Sequence, residues 1–193
     1  MFSIKKDLER CASLPTSERV AGFKRIISRT QVEESLRSCR RKHRACPRLP
    51  GWFMVWYCIA LGFFSRESYR QVFRWLQPFR RGATPGRSTL CEARKRIGIA
   101  PFRRLMELCV RLLGKPETPG AFYQGMRLMA IDGLTMALPD TPANDRAFGR
   151  PGNQKTPSAF PHARIVAMCE IGSHVLWRLQ IKPYRRGEGP MAD

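Results

Sequence analysis

The side chain best placed for chemistry is the carboxylate of Asp132, inside the stretch RLMAIDGLTMALPD from Arg127 to Asp140. Leu128, Met129, Ala130 and Ile131 before it form a short apolar run with the character of a buried strand. Leu134, Met136 and Leu138 then recur at every second position. Period two on both sides of the carboxylate predicts one long strand or a tight hairpin with Asp132 near its middle. As half of an Asp-Gly pair it reads as a hairpin turn. As a residue fixed on sheet it reads as a metal ligand, because strand geometry holds such a group rigidly. Other titratable groups are weaker candidates. Glu170 and Asp140 read as solvated or turn-capping carboxylates, and His162 and His174 flank a strand as structural residues. Cys39, His43 and Cys46 have the residue types of a zinc site, but a fourth ligand is missing and arginine saturates the segment.

The basic residues bear on a partner. The 193 residues include 35 Lys+Arg against 15 Asp+Glu, a net charge of +20. Such an excess repels itself unless a polyanion neutralises it, and nucleic acid is the usual one. Arginine dominates, which suits forked contacts to phosphate. Seven cysteines, an odd number scattered at 11, 39, 46, 58, 91, 109 and 169, do not form a disulfide framework. The expected compartment is therefore reducing, the cytoplasm, with association to the nucleoid. No signal peptide is read at the start, and the uncharged run Gly51–Phe64 is too short to span a bilayer comfortably, so no membrane partner is expected.

These groups need elements to position them. Residues 1–45 form a basic region with a loose helical period over Phe23, Ile26, Ile27, Thr30 and Val32, ending in the run Arg37–Arg44. Pro47 and Pro50 lead into a fully buried helix over 51–64. Ser65 is the expected N-cap of a second helix that ends near Pro78. After the loop Arg80–Gly86, Thr89 and Glu92 fit a capping box opening a third helix that ends at Gly98. Pro101 starts a fourth, FRRLMELCVRLL, with Gly114 as its stop. Helix, turn and short basic helix resemble a helix-turn-helix, which would make Arg87, Arg94 and Lys95 the DNA contacts. A helical bundle with solvated cations fits the same spacing.

Pro116, Pro119 and Gly120 mark a linker over 115–125, beyond which periodicity changes from helical to alternating. A polar loop spans Thr141–Pro161, and two more strands are expected at Ala163–Ile171 and His174–Tyr184, joined by a two-residue Gly172-Ser173 loop. The fold class is α+β: a helical domain over 46–114, then three antiparallel strands within 126–193.

The ordered motifs resemble the bacterial insertion-sequence transposases of the IS-four type. Ala130-Ile131-Asp132-Gly133, Pro139-Asp140-Thr141-Pro142-Ala143-Asn144, Ala147-Phe148-Gly149-Arg150-Pro151-Gly152, Ala159-Phe160-Pro161 and Tyr184-Arg185 carry the resemblance in the second half. Leu49-Pro50, Glu67-Ser68-Tyr69-Arg70 and Ala93-Arg94-Lys95-Arg96-Ile97-Gly98 carry it in the first. The resemblance implies an N-terminal helical domain and a ribonuclease-H-like catalytic domain with two Asp and one Glu, the DDE triad. Asp132 matches the first Asp, and Mg2+ is the implied cofactor, a pair of ions activating the attacking oxygen and stabilising the leaving one. The implied activity is metal-dependent cleavage and transfer of DNA strands, with terminal inverted repeats as the DNA partner. The second Asp and the Glu have no counterpart in this sequence, and Asp193 is no substitute. The expectation is therefore a truncated transposase, inactive alone. An alternative is a non-catalytic fragment that binds DNA or joins full-length subunits and inhibits them. Strands lacking covering helices should leave Val166, Met168, Leu176 and Leu179 poorly buried, making 126–193 marginally stable while 45–114 folds independently.

Overall fold

A computed structural model describes residues 25–39, 48–76, 83–152 and 158–185, with 13–15, 18, 21 and 22. The expectations placed on His43, Cys46, the basic run beyond Cys39, Pro78, Arg80–Gly82 and Asp193 lie outside these residues. The architecture is α+β: helices, then antiparallel strands in two small sheets. The chain divides into two compact units between Cys109 and Val110.

The first unit holds α1 (Arg29–Ser38), α2 (Gly51–Phe63), α3 (Tyr69–Leu76), α4 (Arg87–Ile97) and α5 (Ala100–Cys109). Its centre is α2, whose uncharged sequence lets it be buried nearly all round. Phe53, Met54, Val55, Trp56, Tyr57 and Ala60 are buried on it. Val72, Phe73 and Leu76 of α3, Leu90, Ala93 and Ile97 of α4, Leu105 of α5 and Val32 of α1 close the same core. Phe53 and Tyr57 both meet the Phe73 ring edge to face, with centroids 5.3 and 6.1 Å away. The Tyr57 hydroxyl donates to the Tyr69 carbonyl at 2.9 Å, so the buried ring keeps its polar end satisfied.

Helix ends depart from the sequence expectations. Ser28 and Gln31 form a capping box that starts α1, a signal hidden in the basic N-terminal region. α3 begins at Tyr69, not after Ser65, because the Ser68 hydroxyl accepts the Gln71 amide at 3.2 Å. Thr89 is inside α4 and caps nothing; Gly86 stands at that N-cap with no side-chain bond. Gly98, with φ at +66°, ends α4 as expected. α5 stops at Cys109, five residues short of Gly114, since Leu113 and Gly114 give their amides to a carboxylate instead of to a helix.

The second unit carries first a two-stranded hairpin, β1 (Phe122–Tyr123) and β2 (Met126–Arg127), whose first strand and turn fall in the segment expected as linker. Gln124 and Gly125 both take positive φ, as a two-residue turn of the I′ kind requires. A meander of β3 (Met129–Ala137), β4 (His162–Glu170) and β5 (Leu176–Pro183) follows, with β4 central. The expected polar loop contains α6 (Pro142–Phe148), capped by Thr141, whose hydroxyl accepts the Asn144 amide at 3.2 Å. The β4–β5 connection is Ile171–Val175 rather than two residues, and the left-handed residue in it is His174.

Candidate active-site strand and nucleic-acid interface

β3 settles how Asp132 is held: the Asp-Gly pair does not turn, and the strand runs through it from Met129 to Ala137. Register places Asp132 opposite Ala167, which is opposite Leu179. Alternation puts Asp132 on one sheet face with Leu134, Ile165, Ile181 and Leu179. The carboxylate is exposed, and its Oδ1 accepts the Gly133 amide at 2.8 Å. The surrounding apolar side chains are incompletely covered, with Leu134 at 53% and Leu179 at 43% exposure. Leu176 is exposed as expected, whereas Val166 in the central strand is buried, contrary to expectation.

Asp140, Asp145 and Glu170, three other carboxylates of this unit, are already engaged. Asp140 and Asp145 both pair with Arg150, at 2.6 and 3.1 Å, and that guanidinium also reaches the Ala159 carbonyl. These bonds tie together the two ends of the excursion that leaves the sheet after β3. Glu170 is not solvated at all: its side chain has 0% exposure. It accepts the amides of Leu113 and Gly114 at 2.9 and 2.8 Å, the Ser173 hydroxyl and the Arg127 guanidinium. Burial pushes its pKa up, but the Ser173 hydroxyl, the two amides and Arg127 outweigh it and hold the carboxyl at about 2. Sequence reasoning missed this because three of the four donors lie more than forty positions away or arise from backbone. Among the described residues no cation pairs with Asp132, which distinguishes it from Asp140, Asp145 and Glu170.

The donor set around Asp132 does not by itself fit a metal pair. Among the described residues no three His, Cys, Asp or Glu side chains converge as metal ligands. The described cysteines, Cys39, Cys58, Cys91, Cys109 and Cys169, form no disulfide among the described residues. Burial pushes Cys58 up to about 11, leaving it a poor nucleophile.

Charge is divided unevenly between the units. Residues 1–109 hold 24 basic against 8 acidic residues, net +16, and residues 110–193 hold 11 against 7, net +4. On α4, Arg87, Arg94, Lys95 and Arg96 are all exposed. Arg94 is oriented by Tyr69, bonding its hydroxyl at 2.6 Å with the guanidinium 5.1 Å from the ring centroid. Lys95 pairs with Glu92 at 2.9 Å. Arg87 occupies the first position of α4, where a cation opposes the helix dipole. Sequence reasoning passed over Arg70 and Arg74, exposed one turn apart on α3. Their spacing opposite buried Val72, Phe73 and Leu76 was the available signal.

Comparison with known proteins gives the relation. The insertion element 4 transposase N-terminal family matches residues 17–107, the span that contains α1 to α4 and most of α5. Residues 17–107 are thus similar to the N-terminal domain of that transposase family. Over a longer span, the chain is 29% identical over 170 residues to the transposase InsG for insertion sequence element IS4 of Escherichia coli strain K12. That match covers 87% of this chain and 37% of InsG. InsZ of the same strain is 30% identical over 150 residues, covering 75% of this chain and 48% of InsZ. The chain thus spans less than half the length of the curated relatives it matches. No solved structure matches. No helix among the described residues is long and apolar enough to cross a membrane.

Proposed function

We propose that this transposase-related chain joins a DNA-binding helical unit to the strand that carries the first acidic residue of a DDE-type, ribonuclease-H-like catalytic centre. The observation that carries the reading is Asp132 itself: an exposed carboxylate in mid-strand that pairs with no cation among the described residues of a strongly basic chain. An isolated carboxylate on an apolar sheet face contributes nothing to packing, so ligand binding explains its presence better than stability does. In this reading Asp132 is one of several carboxylates that together hold magnesium, whose hard cation favours such oxygens. Because one carboxylate cannot hold the ions, this chain by itself is expected not to cut DNA.

The DNA-binding role falls to α3 and α4. Gly86 offers no side chain to the first turn of α4, so its amides, with Arg87, are available to a phosphate. Arg94, fixed by Tyr69, and Lys95, Arg70 and Arg74 extend the positive surface along both helices. The terminal inverted repeats of an insertion sequence are the proposed DNA. A second reading, a non-catalytic piece that binds DNA or full-length subunits and inhibits them, is favoured by the incomplete ligand set.

Binding of the purified chain to inverted-repeat and random duplexes across a salt series tests the proposal. Arg87→Ala should weaken binding and flatten the log–log salt dependence by about 1. Asp132→Ala should leave affinity unchanged or slightly raised. Magnesium-dependent nicking by this chain, abolished in Asp132→Ala, would refute the claim that it is inactive alone. Equal affinity for repeat and random DNA would refute the specificity.

A further inference from the structure

The cations of α3 and α4 surround one carboxylate. Arg70 and Arg74 on α3 and Arg87, Arg94, Lys95 and Arg96 on α4 are basic, and Glu92 alone on these two helices is acidic. Ser88, Glu92 and Lys95, at i, i+4 and i+7, form the stripe of α4 opposite buried Leu90, Ala93 and Ile97. All three are exposed, the side chains of Glu92 and Lys95 by 67% and 68%. Lys95 Nζ donates to Glu92 Oε1 at 2.9 Å, and neither has another hydrogen bond or ion pair among the described residues. Arg94 stands apart from this stripe. Its bond to the Tyr69 hydroxyl draws it to the flank facing α3, and Arg87, seven positions earlier, lies on the same flank.

Stability does not account for Glu92. A solvated pair three positions apart adds little to a helix. Glu92 also lies beyond the first turn, where a carboxylate would favour the dipole. On a surface that meets a polyanion it repels phosphate, and an acceptor-only group gains from nucleic acid only where a base offers an amino group.

We propose that Glu92 and Lys95 are specificity-determining residues of α4 that read one cytosine–guanine pair in the major groove, while Arg87 and Arg94 hold phosphates on the flank. This rests on the docking of α4 on DNA proposed above. Across a cytosine–guanine pair the cytosine N4 amino group and guanine O6 are about 2.9 Å apart, and the Glu92 acceptor and Lys95 donor stand at the same spacing. The carboxylate accepts from N4, and the ammonium donates to O6 and the neighbouring N7. An adenine–thymine pair also presents an amino group and a carbonyl, but a methyl flanks thymine O4 where guanine has a second acceptor. Glu92 further keeps phosphate off the outer stripe, so a wrongly seated duplex is penalised as well as the right one rewarded.

The test binds the full chain to a pool of duplexes with a randomised central segment, sequences the bound fraction and measures affinity for the unselected pool. The wild-type selection should contain a cytosine–guanine position that Glu92→Ala and Lys95→Ala each erase, a loss of about tenfold in discrimination there, while other selected positions persist. Glu92→Ala should also bind the unselected pool more tightly. Glu92→Gln, nearly isosteric and able to donate as well as accept, should admit adenine at that position. Arg87→Ala should instead weaken all sequences alike and lower the log–log salt slope by about 1. An unchanged selection in Glu92→Ala and Glu92→Gln, beside a loss in Arg87→Ala, would overturn the proposal and leave the docking of α4 standing. Binding indifferent to Arg87→Ala would overturn that docking and this proposal with it. A wild-type pool without a preferred position would overturn the proposal as well.

Discussion

Replacing Gly172 by alanine puts the packing of the second unit to a direct test. Gly172 sits in the β4–β5 connection, yet the left-handed residue there is His174, so its glycine is not required by backbone conformation. Space requires it. A Cβ on Gly172 would lie 2.4 Å from the Ala121 Cβ, 2.7 Å from its Cα and 3.0 Å from its nitrogen. Ordinary carbon contacts begin near 3.5 Å, so the loop or Ala121 must move by about 1 Å. Ala121 cannot easily give way: it is fully buried, its amide bonds the Thr118 carbonyl at 3.1 Å, and its carbonyl accepts the Leu128 amide at 2.9 Å. Moving the loop instead disturbs Ser173 and Glu170, whose carboxylate already lies against Gly114. Overpacking of this kind costs about 1–3 kcal/mol, and the absence of any yielding side-chain tip places it toward the upper end. A domain of about 80 residues is stable by roughly 4–12 kcal/mol, so this is a large share. Hydrogen exchange at the β4 and β5 amides, read with urea unfolding, measures the loss. Adding Ala121→Gly, which removes the closest of the three atoms, should recover part of it. Undiminished protection in Gly172→Ala would refute the reasoning.

Three further outcomes follow from the same geometry. Glu170, held at about 2 against an ordinary 4.5, binds protons more readily when unfolded. Its contribution is therefore complete above about pH 4.5 and lost as pH falls toward 2; acid titration of Glu170→Gln should lack the fall in stability across that window. Phe73→Ala empties the point where Phe53 and Tyr57 converge and should destabilise the helical unit by about 3–5 kcal/mol in urea unfolding. Gly62→Ala, in an exposed part of α2 with nothing within 4 Å of the new methyl, should instead stabilise that unit by about 0.5–1 kcal/mol in thermal unfolding.

What the sequence disclosed was what short-range periodicity encodes. The apolar run of α2, the Gly98 stop and the two strands after the polar loop follow from spacing alone, whereas spacing left open whether Asp132 stood in a strand or at a hairpin turn. Helix starts were misjudged because several residues in a row were capable of capping, and tertiary packing chose among them: Ser68 rather than Ser65, and Gly86 rather than Thr89. The end of α5 was unreadable for another reason. FRRLMELCVRLL keeps helical period to Leu112, but a carboxylate fifty-six positions beyond Gly114 claims the amides that a longer helix would have left elsewhere.

That long-range bond also bears on how Asp132 is held. Glu170 is the register partner of Met129, and the Ile171 amide donates to the Leu128 carbonyl at 3.2 Å. Arg127, which grips Glu170, leads directly into β3. The anchored end of the sheet is therefore the end from which the Asp132 strand departs, while no other strand among the described residues pairs with that strand's outer edge. A carboxylate three residues from such an anchor has its backbone fixed and its side chain left in solvent. This placement suits the ligand role proposed above for Asp132, and it arises here from a buried ion cluster rather than from the apolar packing that holds the helical unit.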